Sequence, residues 1–325
     1  MKTIEARALT LFLQTEPFAS LQVFHPAISI PRLLKHHEPN HVLIIQDLGN
    51  HPTLDVWLRT PDLPQHIIVE AGSTLGNFLA DFHLSTSRED VERLSRHFEN
   101  KDVQNVVFTV AVEPIKAILE RFQVPDAVEI YDAILHEFND SYRRDPSNKV
   151  FSMGDLWPPS ILVKQSGNTS LGLIDWEFAC VAPPSQDMGQ LGISPVVVLI
   201  HSTATHLQVA ILANQFYSTN FTIFAESLHR TYGNRLRDKQ AWWLSSDVDP
   251  HIRSLWIIYG QELINSVNRS RDCGCEVGPS DSECFHQRRA VEMGLWYIRE
   301  AMNRTSFGSI SEKFLTPLYR QEIGG

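Results

Sequence analysis

The sequence predicts an α+β protein in which a small β-hairpin is set into a mainly helical chain. Three observations predict it. Apolar residues recur at helical spacing over most of the chain from about residue 73 onward. Two short apolar runs, Ile161-Leu162-Val163-Lys164 and Leu171-Gly172-Leu173-Ile174, flank a Gly167-Asn168 turn and read as a hairpin with a polar tip. A second pair of runs, around Pro31 to Leu34 and over Val42 to Ile45, flanks the polar turn His37-Glu38-Pro39-Asn40.

Each element has its own signal. Ile4, Leu9, Phe12 and Leu13 recur at roughly helical spacing and predict a helix over 3–14. Val42-Leu43-Ile44-Ile45 is an unbroken apolar run and reads as a buried strand, closed by a turn over Gln46 to Asn50. Ser73 is a good N-cap for a helix carrying Leu75, Phe78, Leu79 and Phe82. Further helical patterns cover 88–98, 112–122, 126–141, 205–229, 249–269 and 283–305. Lys149-Val150-Phe151 leads into a loop before the hairpin, and the tail from 306 onward reads as peripheral.

Composition narrows the function classes. The 325 residues carry 28 Lys+Arg against 38 Asp+Glu, a net charge of -10 that argues against a broad nucleic-acid or anionic-membrane surface. A hydrophobic fraction of 43% rules out wholesale disorder. No apolar run approaches the ~20 residues of a membrane span. Glu5 and Arg7 interrupt the apolar stretch that an export signal needs, and 4 Cys make no secreted disulfide scaffold. The expectation is a cytoplasmic protein with neither a nucleic-acid nor a membrane partner.

The chemistry concentrates between Met153 and Asp187. Asp155 sits on a Gly- and Pro-containing loop just before the hairpin, and Asp175 and Glu177 sit just after its return strand. Antiparallel pairing brings these two places together, so three carboxylates are expected to converge at one mouth of the hairpin. Clustered acids repel one another unless a cation intervenes, and oxygen ligands of this kind suit Mg²⁺.

The stretch Met-Gly-Asp-Leu-Trp-Pro-Pro-Ser over 153–160, followed by Ile-Asp-Trp-Glu over 174–177, resembles the catalytic and metal-binding loops of the aminoglycoside phosphotransferase family, which has a protein-kinase-like fold. The resemblance implies Asp155 as the catalytic base, Asp175 and Glu177 as metal ligands, and Ser160, at a position that is Asn in most of the family, as a weaker oxygen ligand or water positioner at the nucleotide. Glu177 and Ser160 both look like the methylthioribose kinase branch, where Asp-x-Glu and a serine occupy these places. Asp187 matches an aspartate that braces the catalytic loop. Ile44-Ile45-Gln46-Asp47-Leu48-Gly49 looks like the hinge whose backbone holds adenine, which marks Gln46 and Leu48 as nucleotide contacts. The segment from Leu75 to His83 is similar to the helix after the hinge, and Glu5 looks like the acid that pairs with the phosphate-binding lysine.

Two departures stand out. Met153 occupies the family's histidine position. The chain also begins at the helix bearing Glu5, so the glycine-rich strand pair and its lysine are expected upstream of it; Lys2 and Lys35 are the nearest lysines. The expected organisation is therefore a remnant of an N-terminal lobe over 1–47 and a large, mainly helical C-terminal lobe over 48–325. The implied function is an ATP- and Mg²⁺-dependent phosphotransferase (kinase) with a small-molecule hydroxyl as acceptor. The alternative is a non-catalytic, pseudokinase-like binding module.

Other residues invite smaller readings. Cys273-x-Cys275-x₈-Cys284-x-His286 gathers zinc-type ligands within 14 residues, as a structural zinc site or as reduced thiols in a connecting loop. Cys180, Trp242, Trp243 and Trp256 read as core, and His36, His37 and His41 as solvated. Trp157 lies two residues after Asp155, where it packs either on a substrate or on the protein.

Overall fold

In the computed structural model the first helix, α1 (Lys2–Gln14), buries Ile4, Ala8, Leu9, Leu11 and Phe12, while Leu13 is turned outward. The structure describes residues 2–99, 101–142, 148–165, 169–191, 207–242, 249–269 and 285–303. A short helix α2 (Phe18–Phe24) follows, too brief for its period to show in the sequence. Strand β1 (Ile28–Ser29) leads to an antiparallel pair, β2 (Leu33–His37) and β3 (Val42–Ile45), joined by a tight turn over Glu38–Asn40.

Two sequence expectations are corrected here. The first strand lies at Leu33–His37 rather than around Pro31 to Leu34, since Pro31 has no N–H to give a ladder. β3 is not a buried strand: Val42 and Ile44 are each 47% exposed. One face of the pair meets α1 and the other meets solvent, a distinction that a run of apolar residues does not encode.

The chain then turns helical earlier than expected. After α3 (Leu54–Leu58), helix α4 (Gln65–Leu84) starts just past Pro64, so Ser73 is an interior residue and not an N-cap. Its hydroxyl meets Ser227 Oγ at 2.8 Å instead. His66, Glu70 and Gly72 obscure the first two turns, yet Ile68, Ala71, Leu75, Phe78 and Phe82 form one buried stripe. α5 (Arg88–His97) is capped by Ser87, whose hydroxyl accepts the Asp90 N–H at 3.1 Å. α6 (Lys101–Val107), unpredicted, runs through a wide turn over Phe108–Val112 into α7 (Glu113–Arg121), and α8 (Ala127–Tyr142) follows.

The β island holds more strands than the sequence suggested. β4 (Val150–Ser152) is a strand where a loop entry was expected, and it pairs with β7 (Cys180–Ala182). Between them lie β5 (Ile161–Lys164) and β6 (Ser170–Leu173), the expected antiparallel hairpin. β1 joins the far side of β6 in parallel, with Ile28 opposite Leu171. Residues 166–168, which include the expected Gly167-Asn168 turn, lie outside the described residues.

α9 (Ser185–Leu191) follows β7, and among the described residues three further helices come after it: α10 (Leu207–Asp238), α11 (Asp249–Arg269) and α12 (Phe285–Met302). α10 lies along α4 at close range, because a Cβ on Gly72 or Gly76 would stand 2.5 Å from the carbonyl oxygen of Phe224 or Leu228. One core joins α1, α2, α4 and the strands, and a second is built by α7, α8, α11 and α12. Among the described residues no helix is long and apolar enough to cross a membrane. The tail from 306 and Trp243 fall outside the described residues.

Candidate active site

The loop that leaves β4 is held from below by α9. Gly154 has φ of +82°, and a Cβ there would stand 2.2 Å from the Phe178 carbonyl oxygen, so only glycine fits. Asp187 is fully buried; Oδ2 accepts the Met153 N–H and Oδ1 the Gly154 N–H, each at 2.9 Å. Gln190 lies three residues further along, on the same helix face. Its Oε1 accepts the Leu156 N–H at 2.9 Å, and its Nε2 donates to Asp155 Oδ1 at 3.4 Å. Two side chains of one short helix thus hold the backbone on both sides of Asp155.

Behind Asp187 stands a buried relay. His83 Nε2 lies 3.1 Å from Asp187 Oδ2, and because the carboxylate only accepts, that nitrogen carries the proton. His83 Nδ1 meets the Tyr232 hydroxyl at 2.7 Å, linking α4, α9 and α10. Met153, at the position the family gives to histidine, is packed into the core. Ser160 is also turned inward: its hydroxyl donates to the Trp157 carbonyl at 2.7 Å and accepts the Trp157 N–H at 3.2 Å. Trp157 itself is 39% exposed.

Asp175 follows β6 in the left-handed region, with φ of 75°. A tight turn over Trp176–Phe178 comes next and presents Glu177. Burial first, and the neighbouring Glu177 second, push the Asp175 carboxyl above its usual range, with Lys2 opposing them. Lys2 Nζ lies 3.2 Å from Glu5 Oε2 and 3.4 Å from Glu177 Oε2. Burial raises the Glu5 pKa, and Lys2 pulls it back in part. Burial lowers the Lys2 pKa, and the two carboxylates more than offset it.

The expected convergence of three carboxylates on a metal is corrected by this geometry. Among the described residues no three His, Cys, Asp or Glu side chains group closely enough to hold a metal ion. Asp155 is tied to Gln190 and faces a pocket of about 150 Å³, while Asp175 and Glu177 belong with Lys2 and Glu5. Phe138, Phe178, Ile258 and Glu262 line that pocket together with Asp155.

The segment expected to be a hinge runs from the β2–β3 pair to β6. The Gln46 N–H donates to the Arg32 carbonyl at 2.9 Å, and its side-chain oxygen accepts from Arg32 Nε at 3.1 Å. Leu48 packs over Gly172 of β6, and Val163 donates its N–H to the Pro52 carbonyl at 2.8 Å. Cys273, Cys275 and Cys284 lie outside the described residues, and so does the side chain of His286. Cys180 is part-buried, with its thiol pushed up to about 12 by burial.

Sequence reasoning missed His83, Gln190 and Tyr232. A histidine at the apolar end of a helix, and a glutamine three after Asp187, were the available signals.

Comparison with known proteins adds independent findings. The model of the phosphotransferase enzyme family matches residues 14–242. A 4-hydroxytryptamine kinase of Psilocybe cyanescens is 29% identical over 170 residues, and one of Psilocybe cubensis 26% over 175. Each match covers 50% of this chain, which spans only 45% of the length of either relative. A crystal structure of a glucosamine kinase superposes with a TM-score of 0.50 at 13% identity, over 91% of this chain and 69% of that one, a likeness of fold. With its family model matched over most of its length and its protein-kinase-like α+β architecture, the chain belongs to the phosphotransferase enzyme family of the aminoglycoside phosphotransferase type.

Proposed function

We propose that the protein transfers the terminal phosphoryl group of ATP to the hydroxyl of a small molecule. The observation that carries the reading is the double clamp of Asp187 and Gln190 on the loop of Asp155. It fixes one carboxylate at the wall of a pocket, as a base for phosphoryl transfer requires. Asp155 takes the proton of the acceptor hydroxyl. The acceptor oxygen then bonds the terminal phosphorus, the bond from that phosphorus to its bridging oxygen breaks, and ADP leaves.

The donor set fits Mg²⁺. This ion is commonly held by one or two carboxylates together with substrate phosphates, and Asp175 with the neighbouring Glu177 offers two carboxylates, the first of them pushed up by burial and by Glu177. When bound, the ion neutralises charge on the phosphates. Lys2 supports the same end of the reaction, as a cation within reach of Glu177. The segment Gln46 to Leu48, packed over β6, is the adenine contact in this reading.

The experiment is ADP release by the full chain with ATP, Mg²⁺ and a panel of small alcohols, beside Asp155→Asn. Turnover that the variant loses, with nucleotide binding kept, supports the reading; equal turnover in the variant overturns it. Nucleotide binding without turnover in either protein leaves the binding-module alternative.

A further inference from the structure

We propose that Gln190 is a positioning residue for the base: its side-chain amide, itself oriented by the Leu156 N–H, fixes the rotation of the Asp155 carboxylate and sets its base strength with a neutral donor. This rests on the phosphotransfer reading, and goes past the clamp on the loop backbone to the carboxylate itself.

The amide has one orientation open to it. The Leu156 N–H can only donate, so the atom 2.9 Å from it is the amide oxygen. The NH₂ group is thereby turned toward Asp155, whose Oδ1 it meets at 3.4 Å. That contact is long, as catalytic contacts commonly are before a substrate is seated. Asp155 and Leu156 are neighbours in the chain, so one amide ties the carboxylate to the backbone of its own successor. The rotation of the Asp155 side chain is then governed from α9, outside the loop. Gln190 is only 9% exposed, which shields both contacts from water. Met153, packed in the core, brings no donor to the loop.

A neutral amide suits this place on electrostatic grounds. An arginine or lysine there would favour the carboxylate and weaken it as a base, and a second carboxylate would favour the protonated form. Glutamine gives an acceptor to the Leu156 N–H and an uncharged donor to Asp155 at once. When the O–H bond of the acceptor breaks, its proton joins the Asp155 carboxylate. The carbonyl oxygen of the resulting acid still accepts an N–H, so the contact with Gln190 holds through the step.

The test compares the full chain with Gln190→Glu and Gln190→Met, first checked for folding by their urea midpoints. Gln190→Glu keeps the acceptor for Leu156, removes the donor to Asp155 and sets a carboxylate against it. It is expected to lower kcat by ~10-fold or more, with KM for ATP unchanged. It is also expected to move the acid limb of the kcat–pH profile up by about 1 pH unit. The Asp155 carboxyl, followed by ¹³C NMR and identified by its loss in Asp155→Asn, should titrate higher to match. Gln190→Met, which removes donor and acceptor without adding charge, should lower kcat with a smaller move of that limb. Glu137 and Glu262 on the same pocket, and Asp187 under the loop, are common to every variant, so a difference between variants reports Gln190. Unchanged kcat in folded Gln190→Glu, or a fall in kcat with both the limb and the titration unmoved, overturns the proposal and keeps the phosphotransfer reading. If the parent turns over no alcohol, that reading fails. The NMR titration then decides alone: a higher titration in Gln190→Glu keeps Gln190 as the group that sets the Asp155 carboxyl, and an unmoved one overturns it.

Discussion

Lys2 Nζ lies 3.4 Å from Glu177 Oε2, so the first turn of α1 reaches the residue two positions beyond Asp175. The contact joins an ammonium to the acidic side of the proposed phosphate site.

Replacing that ammonium tests its part in transfer. Lys2→Ala is expected to lower turnover by ~10-fold or more, because a cation near transferring phosphates stabilises developing charge. Folding stability is expected to fall by about 1–3 kcal/mol, since the Lys2 side chain is 48% exposed but its loss leaves the 6%-exposed Glu5 carboxylate without its ammonium. ADP-release kinetics and a urea melt of the same preparation separate the two effects. A loss below twofold would remove Lys2 from the mechanism.

Gly154→Ala is expected to destabilise the protein by about 2 kcal/mol or more. The substitution strains a positive φ and drives a methyl group into the Phe178 carbonyl oxygen. The urea midpoint is the measurement, and an unchanged midpoint would contradict the loop geometry.

Asp187→Asn keeps the volume but not the acceptor pair. An amide offers one oxygen, so one of the Met153 and Gly154 N–H groups would face an NH₂ donor. The expected cost is about 1–3 kcal/mol, with a fall in turnover as the Asp155 loop loosens. If denaturation and kinetics both match the parent, the clamp is not needed.

His229 gives the stability a pH dependence of definite sign. It is buried, and desolvation pushes its pKa from 6.5 down to about 4. The unfolded chain binds this proton near pH 6.5 and the folded chain refuses it until about pH 4. Its stabilising contribution is therefore complete above pH 6.5 and lost as pH falls toward 4, with a slope of up to about 1.4 kcal/mol per pH unit. His229→Gln should flatten that part of the curve measured by urea unfolding at successive pH values.

Asp81 works at more acid pH. Burial raises its pKa, but hydrogen bonds from His25 and then Arg235 overcome this and bring it to about 2 from 3.8. Arg235 holds the carboxylate with two contacts of 2.8 Å. Stability from this group is present above about pH 4 and disappears as pH falls through about 2. Asp81→Asn should cost about 1–2 kcal/mol at pH 7 and little at pH 2.

The long amphipathic elements were legible because their period repeats several times: α11 was read from its sequence with the bounds Asp249 and Arg269. The hairpin was legible because a turn signal separates two β-rich runs. Short elements were not, since Phe18–Phe24 and Leu54–Leu58 complete too few turns to show a period. Chemistry followed the same division. The motif pointed to Asp155, Asp175, Glu177 and Asp187, yet whether they share one cluster depends on how α9 and the turn after β6 direct them, and that is tertiary. The clamp through Gln190 and His83 joins positions 107 apart in the chain, a separation no local pattern spans.

Helix α1 is fastened to the acidic turn by more than charge. The Phe12 ring stands 4.8 Å from Trp176, which sits between Asp175 and Glu177 and donates its indole N–H to the Leu173 carbonyl. Phe18 and Phe82 complete an edge-to-face nest around them. Swinging α1 outward would open that nest and strip water-shielding from Trp176 in the same motion. The helix and the turn are therefore fastened by ring packing as well as by the Lys2 ion pair, so a displacement of α1 would carry the Asp175 turn with it.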